Sequence, residues 1–177
     1  MISAYIFLAW MYLHLACSVA FPVALLVVGE WNNFTWSLFL GYLLEIVLLQ
    51  LWGWVTVLLA FAAHRRGNAK KVQTGWVFLK LGSIPFFLVN FAYSFVVWFV
   101  IVVGSRGILG VLLPIPVAVT CLMILQTGCV GCCQVGQLRR RIPSLGGRHY
   151  LFQLLPVADV FDTIYLLKRD KAPVPKE

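Results

Sequence analysis

Six residues with chemistry to offer lie inside long apolar stretches: His14, Glu45, Gln50, Lys80, Asn90 and Gln126. Imidazole, carboxyl and ammonium groups are the usual carriers of protons, and a carboxyl beside an amide can hold a proton or a small cation. An ionisable side chain in the middle of a bilayer costs roughly 2.5–3.5 kcal/mol on insertion scales, so such groups face protein or a water-filled cavity. Each of the six is a candidate ligand or proton site. Each also has a plainer reading, as a hydrogen-bonded clasp between helices. Glu45 is the sharpest case, because desolvation disfavours its charged form.

Near the C-terminus, Asp159 and Asp162 stand three residues apart, which places both on one helix face. Two carboxylates so placed can hold a hard cation or share a proton. They can equally pair with Lys80 or with Arg139, Arg140 and Arg141, and the number of nearby cations favours that salt-bridge reading.

Cys129-Val130-Gly131-Cys132-Cys133 contains one C-x-x-C. A second such pair would point to zinc; a single one is a weak metal signal. A thiol relay is disfavoured at a cytoplasmic, reducing end of a helix. Cysteines followed by three arginines are also acceptors for palmitate in a eukaryotic host. Gly128, Cys132 and Gly136 recur every fourth residue, and the simplest reading is a small-residue face for close helix packing. The triplet Asn33-Phe34-Thr35 fits N-glycosylation but falls against the bilayer. The sequence holds no nucleotide-binding glycine loop, no H-E-x-x-H, no G-x-S-x-G and no histidine pair spaced for haem. No cofactor is expected.

The elements that position these groups follow from composition. The 177 residues are 62% hydrophobic and 11% charged, with a mean hydropathy of +0.92. Soluble domains run near 45–50% apolar and about 25% charged. A soluble fold of this size cannot hide that excess, whereas lipid solvates it. Five cysteines, mostly in apolar runs, do not form a secreted disulfide framework. The net charge of +8 clusters beside hydrophobic stretches, which points to anionic lipid headgroups rather than nucleic acid.

About 20 apolar residues span a bilayer. Four stretches qualify, over residues 2–28, 35–63, 72–103 and 108–134. The opening segment lacks a basic leader and is too long for a signal peptide, so it is expected to be retained. Arg65, Arg66, Lys70 and Lys71 follow the second span; Arg139, Arg140, Arg141, Arg148, Lys168, Arg169, Lys171 and Lys176 follow the fourth. Only Arg106 falls between spans on the other side. This bias predicts that both termini are cytoplasmic. Trp31, Trp36 and Trp98 are then expected at the outer interface and Trp76 at the inner one.

The expected architecture is all-α: an antiparallel four-helix transmembrane domain over residues 1–138, then a basic cytoplasmic segment over 139–177. That segment should carry an amphipathic or re-entrant helix near 150–167 and a frayed tail from Ala172 to Pro175. Pro22, Pro85, Pro114 and Pro116 fall inside spans, with Pro114 and Pro116 marking an irregular outer half of the fourth. Counting depth from the inner end of each span at about 1.5 Å per residue matches Glu45 with Asn90 at roughly 26–27 Å. The same count matches His14 with Gln50 at roughly 18–20 Å and puts Lys80 and Gln126 at about 12 Å.

Short loops leave little surface for catalysis. The sequence therefore favours a non-enzymatic plasma-membrane protein, either a small transporter or an accessory subunit of a larger complex. The alternatives are a membrane-embedded enzyme acting on a lipophilic substrate through Glu45, His14 or the cysteines, and a structural or assembly factor. A membrane-protein partner or a second copy of the chain fits any of these.

Overall fold

The computed structural model describes residues 2–28, 33–104, 114–142 and 144–170. Their regular structure is entirely helical: α1 (Ile2–Val28), α2 (Asn33–Arg65), α3 (Ala69–Gly104), α4 (Pro114–Arg141), α5 (Arg148–Phe152) and α6 (Pro156–Asp170). The stretches Ile2–Ala24, Asn33–Arg65, Val72–Val96 and Ile115–Arg141 are long and apolar enough to cross a membrane. The 33 residues of α2 extend about 50 Å at 1.5 Å each, well beyond a hydrocarbon core of about 30 Å. Such a helix tilts or projects from the bilayer.

Helices α1 and α4 each pack against both α2 and α3. Their shared core holds Phe7 and Met11 of α1, Leu49 of α2, Trp76 and Phe86 of α3, and Met123 and Val130 of α4. The outward faces are just as apolar. Leu44, Leu51 and Leu58 of α2 and Leu88, Phe91, Phe95 and Phe99 of α3 are exposed. A soluble monomer rarely shows an apolar patch of that extent. Four such helices are what a membrane protein requires.

The reversal from α2 to α3 is tight. Gly67 has a φ of +68°, the left-handed conformation that glycine adopts without strain. The Gly67 amide bonds His64 and the Asn68 amide bonds Ala63, closing the end of α2 in a Schellman motif.

Two expectations change at the chain's later elements. The fourth long helix is described from Pro114 onward; the expected start of that span, residues 108–113, lies outside the described residues. The helix also continues two turns past Gln134, to Arg141, where basic side chains suit the negative end of the helix dipole. Finally, the single helix expected over 150–167 is two. The break falls at residues 153–155, because Pro156 disfavours helical geometry at Leu155 and supplies no amide hydrogen.

The α6 helix packs on α3 and α4, and α5 bridges α4 and α6. Leu145 and Leu166 join the main core, so the C-terminal segment shares the interior of the long helices. Trp76 is buried in this contact. The expected positions of Trp31, Arg106, Lys171, Lys176 and the tail from Ala172 fall outside the described residues, as do the side chains of Lys71 and Trp98.

Candidate functional site

Two groups of ionisable side chains stand out, and each contains a histidine bonded to a carboxylate. The first lies between α1 and α2. His14 Nδ1 is 2.8 Å from Glu45 Oε2, and both side chains are largely buried. The His14 ring stacks on Tyr42 at 5.7 Å, and Tyr42 stacks in turn on Phe21. Glu45 Oε1 is buried without a hydrogen-bond partner.

The pairing of Glu45 with Asn90, expected from matched depths, is thus replaced by pairing with His14. The register of α1 is the reason. The Ser3 carbonyl accepts from both Trp52 Nε1 and Thr56 Oγ1, so α1 begins level with Thr56, about two turns above the end of α2. From Ser3 to His14 is the same number of residues as from Thr56 back to Glu45. A count that starts both helices at one plane misses this offset.

The other expected partners are also redistributed. Gln50 meets Gln126 rather than His14: Gln126 Nε2 donates to the Gln50 backbone carbonyl at 3.1 Å and to Gln50 Oε1 at 3.0 Å. Gly53 makes room for it, since a Cβ there would overlap the Gln126 amide. Asn90 Nδ2 donates to Thr120 Oγ1 at 3.1 Å, joining α3 to α4. Both contacts are neutral clasps of the kind that hold helices together in lipid.

The second group lies beside Arg139–Arg141, at the basic end of the helices. Lys80 does not reach for water; its amine is buried and meets Asp159 Oδ2 at 2.5 Å. Burial pushes the Asp159 carboxyl above the ordinary carboxylate range, and the Lys80 ammonium pulls it back. Asp162, one turn on, serves a different partner. Trp76 Nε1 donates to Gln153 Oε1 at 3.3 Å, Gln153 Nε2 donates to Asp162 Oδ2 at 2.8 Å, and His149 Nδ1 meets Asp162 Oδ1. All four side chains are buried.

A carboxylate whose oxygens both receive hydrogen bonds acts as an acceptor only, so His149 donates from Nδ1 and Nε2 is the ring nitrogen left to meet another group. Asp159 therefore pairs with Lys80, and Asp162 with His149 and Gln153. Among the described residues no group of three His, Cys, Asp or Glu side chains is placed to hold a metal ion.

The small-residue face of α4 receives this segment. A Cβ on Gly128 would come within 2.7 Å of the Gln153 carbonyl, one on Gly131 would overlap the Gln153 side chain, and one on Gly136 would lie 2.9 Å from His64. Cys132 Sγ approaches the Tyr150 carbonyl at 3.6 Å. Cys129, Cys132 and Cys133 are free thiols.

The model of DUF6652, a family of unknown function, matches residues 2–172. The chain belongs to this family. That match includes both histidine–carboxylate pairs and Lys80. No curated protein and no solved structure matches the chain.

Sequence reasoning passed over His149, Gln153 and Tyr42. His149 lies in a polar Gly-Gly-Arg-His run that reads as a loop. Gln153 left a usable signal: it is the one amide among Leu151, Phe152, Leu154 and Leu155, and a lone amide in such a run needs a partner.

Proposed function

We propose that this protein is a small multi-pass transporter that moves a proton or a monovalent cation by way of the His14–Glu45 pair. In this reading it lies in the plasma membrane with both termini in the cytoplasm, as the placement of lysine and arginine favours. The observation that carries the proposal is the buried, unpartnered Oε1 of Glu45 beside an imidazole, between two long apolar helices. An under-satisfied carboxyl in a low-dielectric setting has capacity to take a proton or to coordinate a cation, and intramembrane ionisable residues commonly mark such pathways.

The test uses purified protein in vesicles loaded with a pH-sensitive dye, with an imposed potassium diffusion potential. Wild type and Gln50→Ala should acidify the lumen, while Glu45→Gln and His14→Phe should not. If wild type and Glu45→Gln match protein-free vesicles, both for protons and for an alkali-cation dye, transport through this pair is wrong.

A second reading is an accessory or assembly subunit. It draws on the clasps Gln50–Gln126 and Asn90–Thr120, which join helices without any ionisable group. In that case His14–Glu45 is one more clasp, and the variants affect stability alone.

A further inference from the structure

A cavity of about 410 Å³ opens beside the buried relay at the basic end, lined by Arg148, His149, Phe152, Phe161, Asp162 and Tyr165. Its chemistry is divided. Arg148 is exposed and offers a guanidinium fork, the geometry suited to phosphate oxygens. His149 lies at the floor, stacked on Tyr165 at 5.5 Å and edge-on to Phe152. Its Nδ1 is committed to Asp162, and among the described residues nothing bonds Nε2. With Nδ1 held, Nε2 is the nitrogen that faces a ligand, and a hydroxyl, which both donates and accepts, can bond it in either protonation state. The walls are apolar: Phe161 is 70% exposed, and Leu151 and Leu155 are exposed nearby. The Tyr165 hydroxyl is held by Arg169 at 2.7 Å.

We propose that this cavity is a headgroup site for an anionic phospholipid whose headgroup carries a hydroxyl, of the phosphatidylglycerol type. Arg148 takes the phosphate. A headgroup hydroxyl bonds His149 Nε2. Phe152 and Phe161 flank the glycerol backbone and the first acyl carbons. The Trp76–Gln153–Asp162 chain is a positioning device that orients the His149 ring, as outer partners do for metal-binding histidines. Exposed Arg139, Arg140 and Lys168 supply the surrounding positive field that draws anionic lipid to this end. The site is independent of the His14–Glu45 pair.

The test titrates short-chain lipids into the full-length protein in detergent, labelled with ¹⁵N-histidine. Three imidazoles are present and are assigned by single His→Gln substitutions. Dihexanoyl phosphatidylglycerol should shift the His149 Nε2 resonance saturably. Phosphatidylcholine, phosphatidic acid and free glycerol phosphate should each bind roughly tenfold more weakly or worse, for want of net charge, hydroxyl and acyl chain respectively. Arg148→Ala should weaken phosphatidylglycerol by at least about tenfold, with an unchanged melting temperature, and Arg139→Ala should leave it within about twofold. Equal affinity for phosphatidylcholine or for glycerol phosphate overturns the lipid assignment. Equal affinity for phosphatidic acid overturns the role of Nε2. Equal loss in Arg139→Ala and Arg148→Ala reduces the site to general surface charge and overturns it.

Discussion

Two histidine–carboxylate pairs in one small chain are built to opposite specifications. At His14–Glu45, one carboxylate oxygen is bonded and the other is buried with nothing to meet it. At His149–Asp162, both oxygens are taken, and the donor behind one of them is itself held by Trp76. The difference lies in what surrounds each. Glu45 has aromatic rings and lipid-facing helices for neighbours, whereas Asp162 is met by the imidazole of His149 in α5 and by the amide of Gln153 in the turn that follows. A fully satisfied carboxylate is a structural anchor, and removing it strands its donors. An under-satisfied one is tolerant of change and open to exchange. The same pair of residue types therefore implies rigidity at one end of the molecule and, in the proposed reading, exchange in the middle.

The comparison is most exposed at Asp162. Asp162→Ala leaves the His149 and Gln153 donors buried and unmatched. We expect a loss of about 2–6 kcal/mol, since each of two buried donors left unpaired costs about 1–3 kcal/mol. Denaturant titration in mixed micelles would measure it. A loss below about 1 kcal/mol would show that the relay does not anchor the segment.

Lys80→Met should come next, with a loss of about 3 kcal/mol at neutral pH from the stranded Asp159 carboxylate. The pH dependence has a definite sign. Asp159 is raised by burial and pulled down by Lys80. A raised carboxyl contributes stability that is complete below its unfolded pKa of about 4 and is lost as pH rises through its folded pKa. Removing Lys80 enlarges that rise, so the variant should recover stability on acidification toward about pH 4 and lose it above. The double variant Lys80→Met, Asp159→Leu should lie close to wild type, since an apolar pair often replaces a buried ion pair without loss. A flat pH profile for Lys80→Met would mean that water reaches Asp159.

The limits of the sequence follow the same divide. Four long apolar helices were legible because lipid demands apolar residues on every face, and a run of that length has few other readings. Lys80 and the aspartates were legible as residues needing partners, and Lys80 was among the partners foreseen for them. The pairing of His14 with Glu45 was not legible. It depends on the axial offset of α1, which is set by the Ser3 carbonyl, and a backbone carbonyl leaves no trace in residue types. The relay was hidden for another reason. Its members come from α3, α5, the turn after α5 and α6, and the break at Leu155 that lets them converge was read as the interior of one helix.

A smaller effect is expected where the C-terminal segment seats on α4. Gly128→Ala forces a methyl against the Gln153 carbonyl, a backbone atom that cannot swing away as a side chain would. Overpacking of this kind typically costs about 1–3 kcal/mol. Gly41 in α2 has nothing within 4 Å of its added Cβ, so Gly41→Ala should be neutral or slightly stabilising, by up to about 1 kcal/mol. Equal losses at the two glycines would show that the close approach to Gln153 is not what makes Gly128 necessary.

The smallest change in stability is expected at Glu45. Glu45→Gln keeps the length and shape of the side chain and retains an oxygen to accept from His14 Nδ1–H. It also places an amide where Oε1 now lies unpartnered, exchanging a vacant acceptor for a vacant donor. The Coulombic share of the pair is lost, but so is the desolvation of a buried carboxylate, and these opposing terms leave a net change below about 1 kcal/mol. Asp162→Asn offers no such balance. Its amide nitrogen would face either Gln153 Nε2 or His149 Nδ1, donor against donor, and a buried donor left unpaired costs about 1–3 kcal/mol. Running Glu45→Gln and Asp162→Asn side by side in one denaturation series therefore isolates the second carboxylate oxygen as the variable. If Glu45→Gln is as damaging as Asp162→Asn, then Glu45 is an anchor like its counterpart, and its capacity for exchange is gone with the difference between the two sites.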